Sequence, residues 1–214
     1  MNPLFDATLQ QQISNYLSPM KNPVQLVLFT QKEPCMTCPE TTQLLREVSE
    51  LSSKITLIEK DIHEDQALAE TYGISLVPSF VLLDHQGRYH GVKFNGIPAG
   101  HEINSFLSAI MDMSGLDYGF SDAIKSRIQK INKPVNIKVF VTLSCPHCPG
   151  AVQNAHRLAM LSSHIEGEMV EAQTFHEMSN RYHVSGVPKI VINEKHELLG
   201  NQPIEQFLTI LESL

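Results

Sequence analysis

Apolar residues follow two spacings along this chain, and the spacings alternate. Leu4, Phe5, Leu9, Ile13, Tyr16 and Leu17 keep a helical period that Pro19 ends. Val24 to Phe29 is then a nearly unbroken apolar run, as expected of a strand buried on both faces. Leu44, Leu45, Val48 and Leu51 form a second helical stripe. Ile55 to Ile58 reads as a strand, and Asp65 to Tyr72 as a short helix closed by Gly73. Ser79 to Leu83 and Tyr89 to Phe94, joined through His85-Gln86-Gly87-Arg88, predict a hairpin. Ile103, Phe106, Leu107, Ile110 and Met111 predict a closing helix.

After Ser114-Gly115 the same order returns. Phe120, Ile124, Ile128 and Ile131 mark a leading helix, and Val135 to Val141 a strand. Val152, Ala155, Leu158 and Ala159 predict a helix, Met169 to Ala172 a strand, and Phe175 to Tyr182 a short helix. Lys189 to Ile192, a turn at Asn193-Glu194, a return strand, and a helix through Ile204, Phe207, Leu208 and Leu211 complete the order. Cys35, Cys38, Tyr72, Ile74, Val77 and Pro78 lie 110 positions before Cys145, Cys148, Tyr182, Val184, Val187 and Pro188. The closing helices match at a shift of 101, so the second hairpin is nine residues shorter. A register that changes only in a loop is what duplication with a loop deletion leaves. The division expected is 1–115 and 116–214.

Composition narrows the setting. A formal charge of −7 argues against a general nucleic-acid binder, which usually shows a basic face. No run approaches the roughly 18 apolar residues of a membrane span. The start, Met1-Asn2-Pro3-Leu4-Phe5-Asp6, lacks the basic region and apolar core of a secretory signal, so the expected compartment is the cytoplasm. Permanent disulfides are unusual there, which makes paired cysteines catalytic or metal-binding.

The chain has four cysteines, and all lie in two CxxC pairs, Cys35-Met36-Thr37-Cys38 and Cys145-Pro146-His147-Cys148. Each pair stands where a strand ends and a helix begins. There the helix dipole and free N–H groups stabilise a thiolate, the reactive form of cysteine. Two intervening residues bring the second sulfur within bridging reach. The first cysteine can then attack a disulfide, and the second can resolve the mixed disulfide. Pro39 and Pro149 fit the first helical turn, where a missing N–H costs little. His147 can add positive character, so Cys145 is expected to be the more acidic thiol and its disulfide the stronger oxidant. A zinc or interaction module is the competing reading, because two CxxC pairs can form a Cys₄ site. The 106 residues between the pairs exceed any ribbon's spacing. No His-based metal constellation is present, and the other histidines, such as His63, His85 and His196, are expected at the surface.

The pattern of strand, CxxC helix, strand, helix, Val-Pro, hairpin and helix resembles the thioredoxin superfamily. Taken whole, the chain is similar to the two-unit glutaredoxin-like protein disulfide oxidoreductases. The likeness includes Gly96-Ile97-Pro98-Ala99-Gly100-His101-Glu102, Val139-Phe140-Val141-Thr142 and Gly186-Val187-Pro188-Lys189-Ile190-Val191. It implies an α/β fold of two tandem thioredoxin-like units, each a central mixed sheet flanked by helices. It implies cis bonds at Pro78 and Pro188, with the backbone of Val77 and Val187 open to pair with an extended substrate. A related two-unit module forms the N-terminal part of flavoprotein peroxiredoxin reductases.

The chain also departs from thioredoxins. It has no Trp, and Phe29 and Val139 occupy the position of the buried Asp six residues before the first cysteine. Proton transfer then falls to Glu33, His147 or water. Glu33 reads first as a solvated loop charge, and His147 equally as an exposed helix-start residue. Neither hairpin is followed by the Gly-Gly pair of glutathione-binding glutaredoxins. The expected activity is thiol–disulfide exchange with protein substrates, with Cys35 and Cys145 as nucleophiles and Cys38 and Cys148 resolving. No cofactor is called for, since the electrons reside on sulfur. The expected reductant is an NAD(P)H-dependent flavoprotein such as a thioredoxin reductase. The alternative enzyme reading is an electron relay to a peroxiredoxin.

Overall fold

A computed structural model describes residues 2–32, 34–117 and 119–214. Helix α1 (Ala7–Leu17) opens the chain, and the Asp6 carboxylate caps it by accepting from the Leu9 N–H at 2.8 Å. Strand β1 (Val24–Thr30) follows, then α2 (Cys38–Glu50), β2 (Ile55–Asp61) and α3 (Gln66–Thr71). The hairpin β3 (Ser79–Leu83) and β4 (Tyr89–Asn95) leads through a 3₁₀ turn (Gly100–Glu102) into α4 (Ile103–Met113). The second half runs α5 (Asp122–Gln129), β5 (Val135–Val141), α6 (Cys148–Leu161), β6 (Ile165–Glu171) and α7 (His176–Arg181). It ends with β7 (Lys189–Ile192), β8 (His196–Leu199) and α8 (Ile204–Leu211). Ile192 pairs with His196, so Asn193, Glu194 and Lys195 turn the second hairpin; Asn193 and Glu194 take φ of 48° and 61°, and Lys195 N–H donates to the Ile192 carbonyl at 3.2 Å.

Each half builds the same four-stranded mixed sheet. β1 pairs in parallel with β2 and antiparallel with β3, and β5 does the same with β6 and β7. The two sheets are one. β4 pairs in parallel with β6, Val92 to Asn95 lying opposite Gly167 to Val170, which gives the order β2-β1-β3-β4-β6-β5-β7-β8. Gly91 permits this junction. Its φ is +75°, and an added Cβ would collide with the Ile165 carbonyl oxygen. Strand β6 therefore begins four residues before the apolar Met169 at which the sequence pattern places it. Its early residues Glu166, Gly167 and Glu168 give no apolar signal. The Glu168 carboxylate is instead satisfied across the sheet by the Asn95 amide at 2.9 Å and by the Asn136 amide.

Strand alternation sorts the core into faces. Leu26 and Leu28 of β1, with Ile137, Val139 and Val141 of β5, enter one apolar cluster that spans both halves and takes in residues of α1, α2, α4, α5, α6 and α8. Val27 and Phe29 point the other way into a small cluster under α3, and Phe140 into its counterpart under α7. Across the junction Arg157 of α6 donates to Asp112 of α4 at 2.7 Å, and Phe94 packs against Phe80, Phe106 and His156. His156 corrects the surface expectation for histidines. It is 1% exposed, and its Nε2 lies 3.1 Å from the Lys93 carbonyl oxygen. Among the described residues, no helix is long and apolar enough to cross a membrane.

Candidate active site: two disulfides beside two prolines

β1, β4, β5 and β6 run in one direction, so the chain leaves β1 and β5 at the same edge of the sheet. There each CxxC pair is closed as a disulfide, Cys35–Cys38 and Cys145–Cys148, with Cα separations of 5.4 and 5.6 Å. Cys38 and Cys148 are the first residues of α2 and α6, and the proline after each takes the second helical position. Neither Thr37 nor His147, the residues before these helices, caps with its side chain. The first-turn N–H groups are thus left to the sulfurs and to solvent. Cys38 and Cys148 are buried, Cys145 is 8% exposed, and Cys35 is half-buried.

The bonds Val77–Pro78 and Val187–Pro188 are both cis. The Val187 carbonyl oxygen lies 3.9 Å from Cys145 Sγ, so this loop borders the first sulfur of the second pair. Among the described residues, no backbone hydrogen bond engages the N–H or C=O of Val77 or Val187. The prolines themselves are tied down. Gly96 N–H donates to the Pro78 carbonyl at 2.9 Å, and Gly200 N–H to the Pro188 carbonyl at 2.8 Å. The glycine right after each hairpin thus holds a proline loop. Gly96 and Gly200 are 104 positions apart, so six of the nine missing residues fall in the second hairpin and three in the connection to the closing helix, which corrects the expectation that the hairpin takes all nine. Met36 is 98% exposed between the first pair of cysteines. His147 is exposed and makes no hydrogen bond among the described residues. Glu33 lies outside the described residues.

Residues 135–212 match the thioredoxin domain model. Over 98% of its length the chain is 28% identical to an alkyl hydroperoxide reductase, AhpF, of Staphylococcus epidermidis, and it spans 38% of the length of that relative. The alkylhydroperoxide reductase AhpF of Enterococcus faecalis superposes with a TM-score of 0.91 at 31% identity, over 97% of this chain and 99% of that one. A protein disulfide oxidoreductase from Aeropyrum pernix superposes with a TM-score of 0.90 at 30% identity, over 97% and 92% of the two chains. The chain belongs to the tandem-thioredoxin protein disulfide oxidoreductase family. As a protein disulfide oxidoreductase it is an enzyme of thiol–disulfide exchange.

In this oxidoreductase a shared Cys₄ zinc site would need both pairs to converge. They follow β1 and β5, four strand positions apart, or roughly 19 Å at ~4.8 Å per strand. Zinc–sulfur bonds of about 2.3 Å cannot span that gap.

The oxidoreductase also holds a buried carboxyl group that has no signature in the sequence. Glu102 is fully buried in the 3₁₀ turn, which packs against α6. The turn is fixed to the loop before Cys145, because His101 N–H donates to the Leu143 carbonyl at 2.9 Å. Gly100 allows that approach, since an added Cβ would strike the same carbonyl oxygen. Burial pushes the Glu102 carboxyl up to about 7, although the Ser105 hydroxyl donates to one of its oxygens. Its other oxygen has no partner among the described residues. At the shift of 101 its counterpart in the second half is Pro203, so α2 and α6 are not equivalently furnished.

Proposed function

We propose that this chain exchanges disulfides with protein substrates at both CxxC sites. The first-cysteine thiolate, Cys35 or Cys145, attacks a substrate disulfide and releases one substrate thiolate. The second cysteine, Cys38 or Cys148, attacks the mixed disulfide and releases the other. The enzyme dithiol loses two electrons and the substrate disulfide gains them. What carries this reading is the open backbone at Val77 and Val187: the Val187 carbonyl oxygen lies 3.9 Å from Cys145 Sγ, and Val77 lines one groove with Pro34, the neighbour of Cys35. An extended segment can add there as a strand does at a sheet edge. Glu102, buried in the turn packed on α6, is our candidate proton acceptor for the Cys145 site, and His147 stands exposed at the start of that helix. Residues 1–115 and 116–214 are the two units. Reduction of insulin disulfides should vanish in the double variant Cys35→Ser, Cys145→Ser, and turnover surviving in that variant would sink the reading.

A relay is the second reading, favoured by the superposition of 97% of this chain on the Enterococcus AhpF structure. Here a flavoprotein would reduce one pair, and the dithiol would reduce a peroxiredoxin. Mixing the reduced protein with a candidate peroxiredoxin and peroxide separates it from general disulfide reduction. Oxidation of the protein only when both are present supports the relay.

A further inference from the structure

The two sites share their chemistry but not their walls. In the first half, Leu76 precedes Val77-Pro78 and packs against the apolar cluster of the second half, alongside Met178, Tyr182 and Val184. The residue matching Leu76 at the shift of 110 is Gly186. Gly186 is exposed, and an atom added there would meet nothing within 4 Å. So the loop at Cys145 faces open space where the loop at Cys35 faces the other unit. The result is a groove of about 780 Å³. It runs from Pro34, next to the first cysteine, over Leu76 and Val77 to Phe175, Met178 and Arg181 in and beside α7. The floor is apolar, and Thr174, His176, Glu177 and Arg181 give it a polar rim with charges of both signs.

We infer that α7 of the second unit is the specificity wall of the Cys35–Cys38 site. The groove takes an extended, disulfide-bearing polypeptide segment with a large apolar residue next to its cysteine. The inference rests on the exchange reading above, because only attack at Cys35 brings a substrate cysteine to Pro34. Backbone pairing along Val77 fixes the direction of the segment, and alternate side chains then fall toward Leu76 and Met178. A small or polar neighbour would leave that floor wet. The Cys145 site lacks the wall and does not discriminate in this way.

The test uses full-length proteins with one working site, Cys145→Ser/Cys148→Ser and Cys35→Ser/Cys38→Ser. Two matched peptide disulfides carry Leu or Ser beside the cysteine. The expected kcat/KM ratio, Leu over Ser, is about tenfold at the first site and near one at the second. Met178→Glu should bring the first-site ratio to about one and leave the second-site ratio where it was. Arg181→Ala, on the rim, should change the first-site ratio less than twofold. Equal ratios at both sites before substitution would overturn the inference, as would a first-site preference that survives Met178→Glu. If the first-site protein reduces neither peptide while the second-site protein does, exchange at Cys35 itself has failed.

Discussion

Replacing Glu102 with Gln should make stability depend on pH in a direction that identifies the buried carboxyl. The folded protein holds this proton up to about pH 7, against 4.5 for an ordinary glutamate. Between those values the native state binds more protons than the unfolded chain, so this group's contribution to stability falls as pH rises. A separation of about 2.5 pH units at 1.36 kcal/mol each gives roughly 3 kcal/mol lost between pH 4.5 and 8. His156 works the other way. Burial pushes it down to about 4 from 6.5, so its unfolded form binds the extra proton, and stability rises by a similar amount over that interval. The two slopes nearly cancel between pH 4.5 and 6.5 in the native sequence. Glu102→Gln removes one of them. Urea unfolding at pH 5 and pH 8 should show the variant gaining about 2–3 kcal/mol relative to the native protein on going up in pH. Any penalty from the new amide is independent of pH and drops out of the comparison. A difference between variant and native protein that stays constant with pH would refute a buried, raised Glu102. In the second-site protein the same variant should flatten the limb of the kcat/KM profile near pH 7. An unchanged limb would remove Glu102 from proton transfer and leave it a structural group.

Other expectations follow from single contacts. The cysteine pairs follow strands four positions apart in the sheet and should titrate independently, so removing Cys35 and Cys38 should leave the Cys145–Cys148 midpoint in place by alkylation and peptide mass spectrometry. Within that titration the second pair should be the more oxidising. Arg157→Ala strands the buried Asp112 carboxylate, already raised by burial despite its arginine, and should cost about 3 kcal/mol in urea. The loss should shrink at low pH, where Asp112 can take a proton. Asp84 accepts from the backbone of Gln86 and Arg88 and from the side chains of Arg88 and His90. Burial alone would raise this carboxyl, but the donors outweigh it and hold it below the usual range. Its stabilisation is therefore present above pH 4 and lost on further acidification. Asp84→Ala should flatten that acid limb and lower thermal stability at pH 7.

Much of this was legible because the repeat restates each signal. The alternating burial of Leu26 and Leu28 against Val27 and Phe29 is written in one apolar run, and β5 repeats it with Ile137, Val139 and Val141. The cysteine register, the two Val-Pro steps and the closing helices are local patterns, so they were visible without tertiary information. The junction of the two sheets was not. Its strand carries Glu166, Gly167 and Glu168, whose partners are all distant in sequence: Tyr89 donates to Glu166, α6 packs closely on Gly167, and Asn95 and Asn136, 73 and 32 residues away, donate to Glu168. Glu102 failed for a related reason. A lone glutamate after Gly-His reads as a surface charge, and nothing local says that α6 will cover it.

Where the two repeats disagree, the disagreement marks what one unit does for the other. Pro203 stands where the first half has Glu102, and Gly186 where it has Leu76. Both first-half residues face the second half, Glu102 in a turn packed on α6 and Leu76 on the cluster under α7. A duplicated unit working alone would have no reason to diverge at these two positions. Joined through β4 and β6, the units complete one another. The first supplies a buried carboxyl beside the second unit's cysteine helix, and the second supplies a wall beside the first unit's proline loop. Cutting the chain between residues 115 and 116 would thus cost more than an exposed strand edge. It would take the buried carboxyl from beside one cysteine helix and the proposed peptide wall from the other site, and leave both disulfides in place.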